Sequence, residues 1–177
     1  MKLSTVSHWA VPTAMLTMLA LSPGCDGPPS ASKIQPHDAE PVPYPVSLLL
    51  PREIRIHPFT GTRTFDEAGG VKGVEVRIEA IDHYGDSTKA FGDFRFELYT
   101  YRPNNPDPKD ERIALWRVPL SDAEQNIVHW DNITRTYKFK LQWNQAIPVG
   151  RRFVLVAVFD SPFTERLFAE RVFVSGQ

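Results

Sequence analysis

The stretch TRTYKFKLQW, residues 134–143, sets the tightest constraint on what this chain can fold into. Tyr137, Phe139, Leu141 and Trp143 alternate with Thr136, Lys138, Lys140 and Gln142. In a strand this puts an aromatic-rich row on one face and a polar row on the other. A slip of one residue would expose the whole apolar row, so the segment belongs in a sheet with one buried face. VEVRIEA repeats the pattern, with Val74, Val76, Ile78 and Ala80 against Glu75, Arg77 and Glu79. FRFELYTY sets Phe94, Phe96 and Leu98 inward and Arg95, Glu97, Tyr99 and Tyr101 on the opposite face. FVLVAVF, residues 153–159, is apolar on both faces and predicts a central strand. Weaker strand patterns cover 53–59, 112–118 and 167–174.

Turn signals separate these runs: Gly69-Gly70, the stretch from Asp82 to Asp86, the Pro-Asn loop at 103–108, and Pro148-Val149-Gly150. SDAEQ, residues 121–125, predicts one helical turn with Ser121 as cap and Glu124 completing a capping box. The fold class is therefore all-β: an antiparallel two-sheet β-sandwich, of the immunoglobulin, transthyretin or C2 kind, with about seven or eight strands. A domain spanning 46–177 would bury about two-thirds of its unfolded surface, enough for an independent core.

Composition limits the partners. The 177 residues carry a net charge of −1, with 42% hydrophobic and 23% charged residues, so no basic excess points to nucleic acid. The single cysteine, Cys25, rules out an internal disulfide and a multi-cysteine metal site.

The N-terminal residues read as an export signal. Lys2 supplies the positive start, and WAVPTAMLTMLAL, residues 9–21, holds no charge. A helix of that length reaches about 20 Å, short of the roughly 30 Å hydrocarbon core, which matches a secretory signal and not a membrane span. Residues 26–51 then contain seven prolines, which favour extended polyproline geometry and a semi-rigid spacer. The expected organisation is a signal peptide at 1–24, a Pro-rich linker at 25–45 and the sandwich at 46–177.

LSPGC, residues 21–25, resembles the lipobox of bacterial lipoproteins, in which small residues precede a cysteine that becomes the lipidated N terminus. Gly24 fits the position before the cysteine, whereas Pro23 departs from the pattern and Leu21 sits one place early. The resemblance implies acylation at Cys25 and attachment to the cell envelope; plain secretion to the periplasm or exterior is the alternative. VEVRIEAID followed by KAFGDFRFELY, with VLVAVFD near the C terminus, is similar to the outer-membrane lipoprotein of type VI secretion systems. That likeness implies an assembly role, and the proline spacer and the Pro-Asn loop depart from it.

Motifs that carry chemistry are sparse. G-x-S-x-G, H-E-x-x-H, Walker A, G-x-G-x-x-G and paired C-x-x-C are absent, and SASK at 30–33 lacks the companion motifs of an S-x-x-K enzyme. His57, His83 and His129 have no ligand spacing. Asp82, Asp86 and Asp93 are weak calcium candidates, since Asp and Gly also serve turns locally. Arg95, Glu97, Tyr99 and Tyr101 form the candidate partner-binding strip, expected to be exposed and suited to a protein partner or to sugar stacking, with Trp116 and Trp130 as possible additions. The sequence thus predicts an envelope-tethered, non-enzymatic binding or structural lipoprotein that needs no cofactor. Its expected partners are the membrane through Cys25 and another envelope protein. The rival from another class is a carbohydrate-binding or hydrolytic envelope protein using Asp82, Asp86 or Glu97.

Overall fold

The computed structural model of the protein describes residues 40–66 and 72–176. Cys25, the signal peptide, SASK, most of the linker and the Gly69-Gly70 turn lie outside the described residues. The architecture is an all-β sandwich of two antiparallel sheets. The first sheet contains β1 (Glu53–Ile56), β2 (Gly61–Thr64), β3 (Lys72–Ile81), β6 (Trp130–Asp131) and β7 (Thr136–Gln142). The second contains β4 (Asp93–Tyr101), β5 (Lys109–Pro119), β8 (Arg152–Asp160) and β9 (Leu167–Val174), in the order β5-β4-β8-β9.

The strongly alternating runs become the long strands, and FVLVAVF becomes β8, flanked on both sides by β4 and β9. The weak pattern at 53–59 is shorter than expected. β1 stops at Ile56, and the edge resumes as β2, which pairs with the other half of β3. The break falls at His57-Pro58, because proline has no N–H for the ladder. Thr60 fills the gap by accepting the Arg77 N–H at 3.0 Å.

The core lies between the sheets, where the inward rows of β3, β4, β7 and β8 meet. Phe94 packs against Phe96, Tyr137, Phe139 and Phe159, with centroids 4.8–6.2 Å apart. Trp143 joins this core, as its place in the 134–143 row requires. Trp116 and Trp130 also pack on it, so neither adds to a binding face. The Trp116 indole donates to the Gln142 carbonyl at 2.8 Å, and Trp130 sits edge-on to Tyr137.

The one helix among the described residues, α1 (Ala123–His129), is longer than the expected turn and starts one residue later. Asp122, not Ser121, is its cap, accepting from the Glu124 N–H; Ser121 turns instead to Asp93. A buried polar cluster ties the helix down. The Tyr137 hydroxyl accepts from the Ala90 N–H and donates to Asn126, which itself donates to the Ala90 and Leu120 carbonyls. Gly92 permits the approach of β4 to β8 here: its φ is 151°, and a Cβ would lie 2.2 Å from the Asp160 carbonyl.

Two substitutions rank these contributions. Phe94→Ala removes the ring that touches four others and is expected to cost about 3–5 kcal/mol. Tyr137→Phe strands the Ala90 and Asn126 groups and is expected to cost about 1–3 kcal/mol. Denaturant titration of both variants measures the difference.

Candidate functional site

The face of the second sheet that points away from the core is built by the alternate residues of its four strands. Cross-strand register sets them in rows. Arg117, Arg95, Val158 and Phe168 form one, and Leu115, Glu97, Val156 and Glu170 the next. Arg112, Tyr99, Val154 and Val172 form the third. Lys109, Tyr101 and Arg152 lie beyond, toward the Pro-Asn loop. Val154 and Val158 are buried although they face away from the core, because larger neighbours on β4 and β9 flank them. Phe168 at 55% and Leu115 at 44% are open to solvent, as is Val172.

Arg95, Glu97, Tyr99 and Tyr101 all lie on this face, but they are half-buried, which corrects the expectation of an exposed strip. Glu97 is the reason. Its carboxylate accepts from the Tyr99 hydroxyl, lies 3.1 Å from Arg95 Nε and is 3.7 Å from Arg112 Nη1. These contacts fold the long side chains down onto the sheet. Burial, and then the bond to Glu97, push the Tyr99 phenol above its ordinary pKa. Register shifts between Leu98 and Tyr101 bend β4 against β5, and the Arg152 guanidinium covers the Tyr101 ring at 5.4 Å.

The outward face of the first sheet has the opposite character. Arg55 stands across from Glu79, and Glu75 across from Lys140. Arg77 bonds Glu75 at 3.2 Å and lies 3.9 Å from Asp131. Arg77 also faces Lys138, a like charge that Glu75 and Asp131 offset, so the charges of this solvated face balance one another without any partner. The first face is thus balanced charge by charge, whereas the second leaves Phe168, Leu115 and Val172 in water beside the Lys109–Glu170 ion pair at 2.8 Å.

The remaining sequence candidates stay apart. Asp82 is buried in the β3–β4 turn, where its Oδ1 accepts from the Tyr84 and Asp86 N–H groups at 2.9 and 3.0 Å. Asp93 is on β4 and takes the Ser121 hydroxyl at 3.3 Å. Among the described residues no group of three His, Cys, Asp or Glu side chains is placed to hold a metal ion. Glu97 lies in the middle of the second sheet, away from the Asp82–Asp86 turn, so the carboxylates named for the hydrolytic reading do not converge. His129 is half-buried at the end of α1, tilted against the Phe139 ring at 4.9 Å with its Nδ1 against the Lys138 carbonyl. A depression of about 380 Å³ gathers Asp93 and Asp160, directly opposite each other across β4 and β8, with Arg95 and Arg117. Nothing in the linear order of these four residues points to their meeting.

No family model, curated protein or solved structure matches this chain.

Burial also pushes the Tyr137 phenol up. For both tyrosines the folded form keeps its proton after the unfolded chain, with a phenol near about 10, has lost it. The folded state therefore binds more protons in that window, and stability falls as pH rises past about 10. Denaturant midpoints compared at about pH 9 and about pH 11 should show this fall, and Tyr99→Phe should make it shallower.

Proposed function

We propose that the chain is an exported lipoprotein of the bacterial cell envelope, anchored through Cys25, whose sandwich domain is a non-enzymatic binding module. The contact surface in this reading is the outward face of the second sheet. One observation carries the choice: the two outward faces differ, the first carrying ion pairs of Arg55 with Glu53 and of Arg77 with Glu75, and the second left with exposed Phe168, Leu115 and Val172. A solitary sandwich gains nothing from apolar side chains in water, whereas a partner that covers them gains about 25 cal/mol per Å².

The occupant is read as another envelope protein. Strands about 4.8 Å apart, with nine residues at about 3.4 Å each, give a face of roughly 500 Å². That is below the about 800 Å² per partner of a standard stable interface, so the contact is of the weak class. Confinement of both proteins to one membrane raises their effective concentration and makes such a contact sufficient. Arg95 and Arg112 hold the Glu97 carboxylate and Arg117 stands exposed across from Arg95, so an acidic residue beside the partner's apolar centre would meet a guanidinium.

Two outcomes are expected. Mass spectrometry of the protein isolated from membranes should find Cys25 as the first residue, carrying a diacylglyceryl mass. A photo-crosslinking residue at Phe168 should trap a discrete partner in intact cells, and the same residue at Lys140 on the opposite face should not. Equal trapping at both positions would remove the assignment of the surface.

A further inference from the structure

One end of the sandwich leaves a group of apolar side chains in water. α1 is inside out. Its two half-buried residues, Asn126 and His129, are polar and anchored to backbone carbonyls, whereas Ile127 and Val128 are 66% and 74% exposed. Ile133, in the turn between β6 and β7, is 95% exposed. Leu49, in the 3-10 turn Val46–Leu49, and Phe91, just before β4, are exposed as well. Leu50, Phe91 and Ile127 line one open cavity of about 400 Å³, which joins the 3-10 turn to α1. Tyr44 and Tyr84 stand exposed at the same end. At the opposite end, Val149 is the one exposed large apolar side chain among the described residues.

The described chain also begins here. Glu40 donates its N–H to the Pro162 carbonyl at 2.6 Å, in the turn between β8 and β9. Cys25 is fifteen residues upstream (40 − 25), a span of at most about 50 Å for a fully extended chain.

We propose that this end is a lipid-contacting surface, seated in the headgroup region of the membrane. The placement of the tether rests on the lipoprotein reading; the apolar end does not. Aliphatic side chains with tyrosines nearby suit the boundary between headgroups and acyl chains, where a ring can keep its hydroxyl in water. The exposed acids Glu40, Asp86, Asp122, Glu124 and Glu165 outnumber the exposed bases Arg52, Lys89 and Arg135 at this end. The contact is therefore with zwitterionic lipid through apolar side chains, and anionic lipid weakens it. An anchor at the same end holds the surface against the bilayer, so a shallow insertion suffices. The binding face of the second sheet then stands along the membrane normal, open to a neighbour in the same leaflet.

The test uses the full chain isolated from membranes and placed in phosphatidylcholine vesicles carrying acyl-chain spin labels. An environment-sensitive fluorescent amino acid replaces Val128, or Val149 as the control. The probe at 128 should be quenched at least threefold more than the probe at 149. Leu49→Ser/Ile127→Ser should remove most of that difference while leaving the near-ultraviolet circular dichroism unchanged. Equal quenching at 128 and 149 in a lipidated protein overturns this inference and leaves the lipoprotein reading standing. Quenching confined to 128 in a protein with no lipid on its N terminus does the reverse.

Discussion

The packing of Phe94 in the middle of the sandwich is the contact on which the rest of the structure depends. Its ring meets rings from its own strand, from β7 across the sheet interface and from β8 beside it. Fixing that position fixes the inward row of β4, and the pleat then leaves no choice for Arg95, Glu97, Tyr99 and Tyr101. They must face away from the core. The same argument runs along β8, where Phe153, Leu155, Ala157 and Phe159 belong to the core. Val154, Val156 and Val158 are left on the other side. The apolar character of that outward face is thus a choice of the sequence, since polar residues there would leave the core untouched.

The two sheets handle their outward faces by different chemistry, and the difference is more informative than any one residue. β3 and β7 set Glu75 across from Lys140, and the Arg77 that faces Lys138 is balanced by Glu75 and Asp131, a solution that needs only water. β4 and β5 also carry charge, but they concentrate it on Glu97, whose Tyr99, Arg95 and Arg112 partners lie flat on the sheet. The result is a charged half on β4 and β5 beside a β8–β9 half where valines and Phe168 flank the acid Glu170. Pre-ordered side chains lose little entropy when covered.

Alternation made the strands legible because each long run has one row that cannot tolerate water. The direction of each side chain was readable for the same reason, down to Tyr99 and Tyr101. Their exposure was not, because it depends on Glu97 meeting Arg112 from another strand and on a bulge that periodicity does not encode. GTRT, the whole of β2, carries no apolar alternation and is placed by its pairing with β3. Only the first turn of α1 was legible, in SDAEQ, and the rest was hidden for a subtler reason. A helix usually announces itself by an apolar stripe facing the core, and here the inward residue is Asn126, held by Tyr137 from forty-seven residues beyond Ala90. The Asp93–Asp160 neighbours came from strand pairing between segments far apart in the chain.

The account stands on the outward face of the second sheet being covered in its native setting. Carbene footprinting of the protein in intact membranes, compared with the purified protein, measures this directly. The prediction is that Leu115, Phe168 and Val172 lose labelling in the membrane while Arg55, Lys138 and Lys140 do not change. Labelling of the second sheet that is as heavy in membranes as in the purified protein would contradict it.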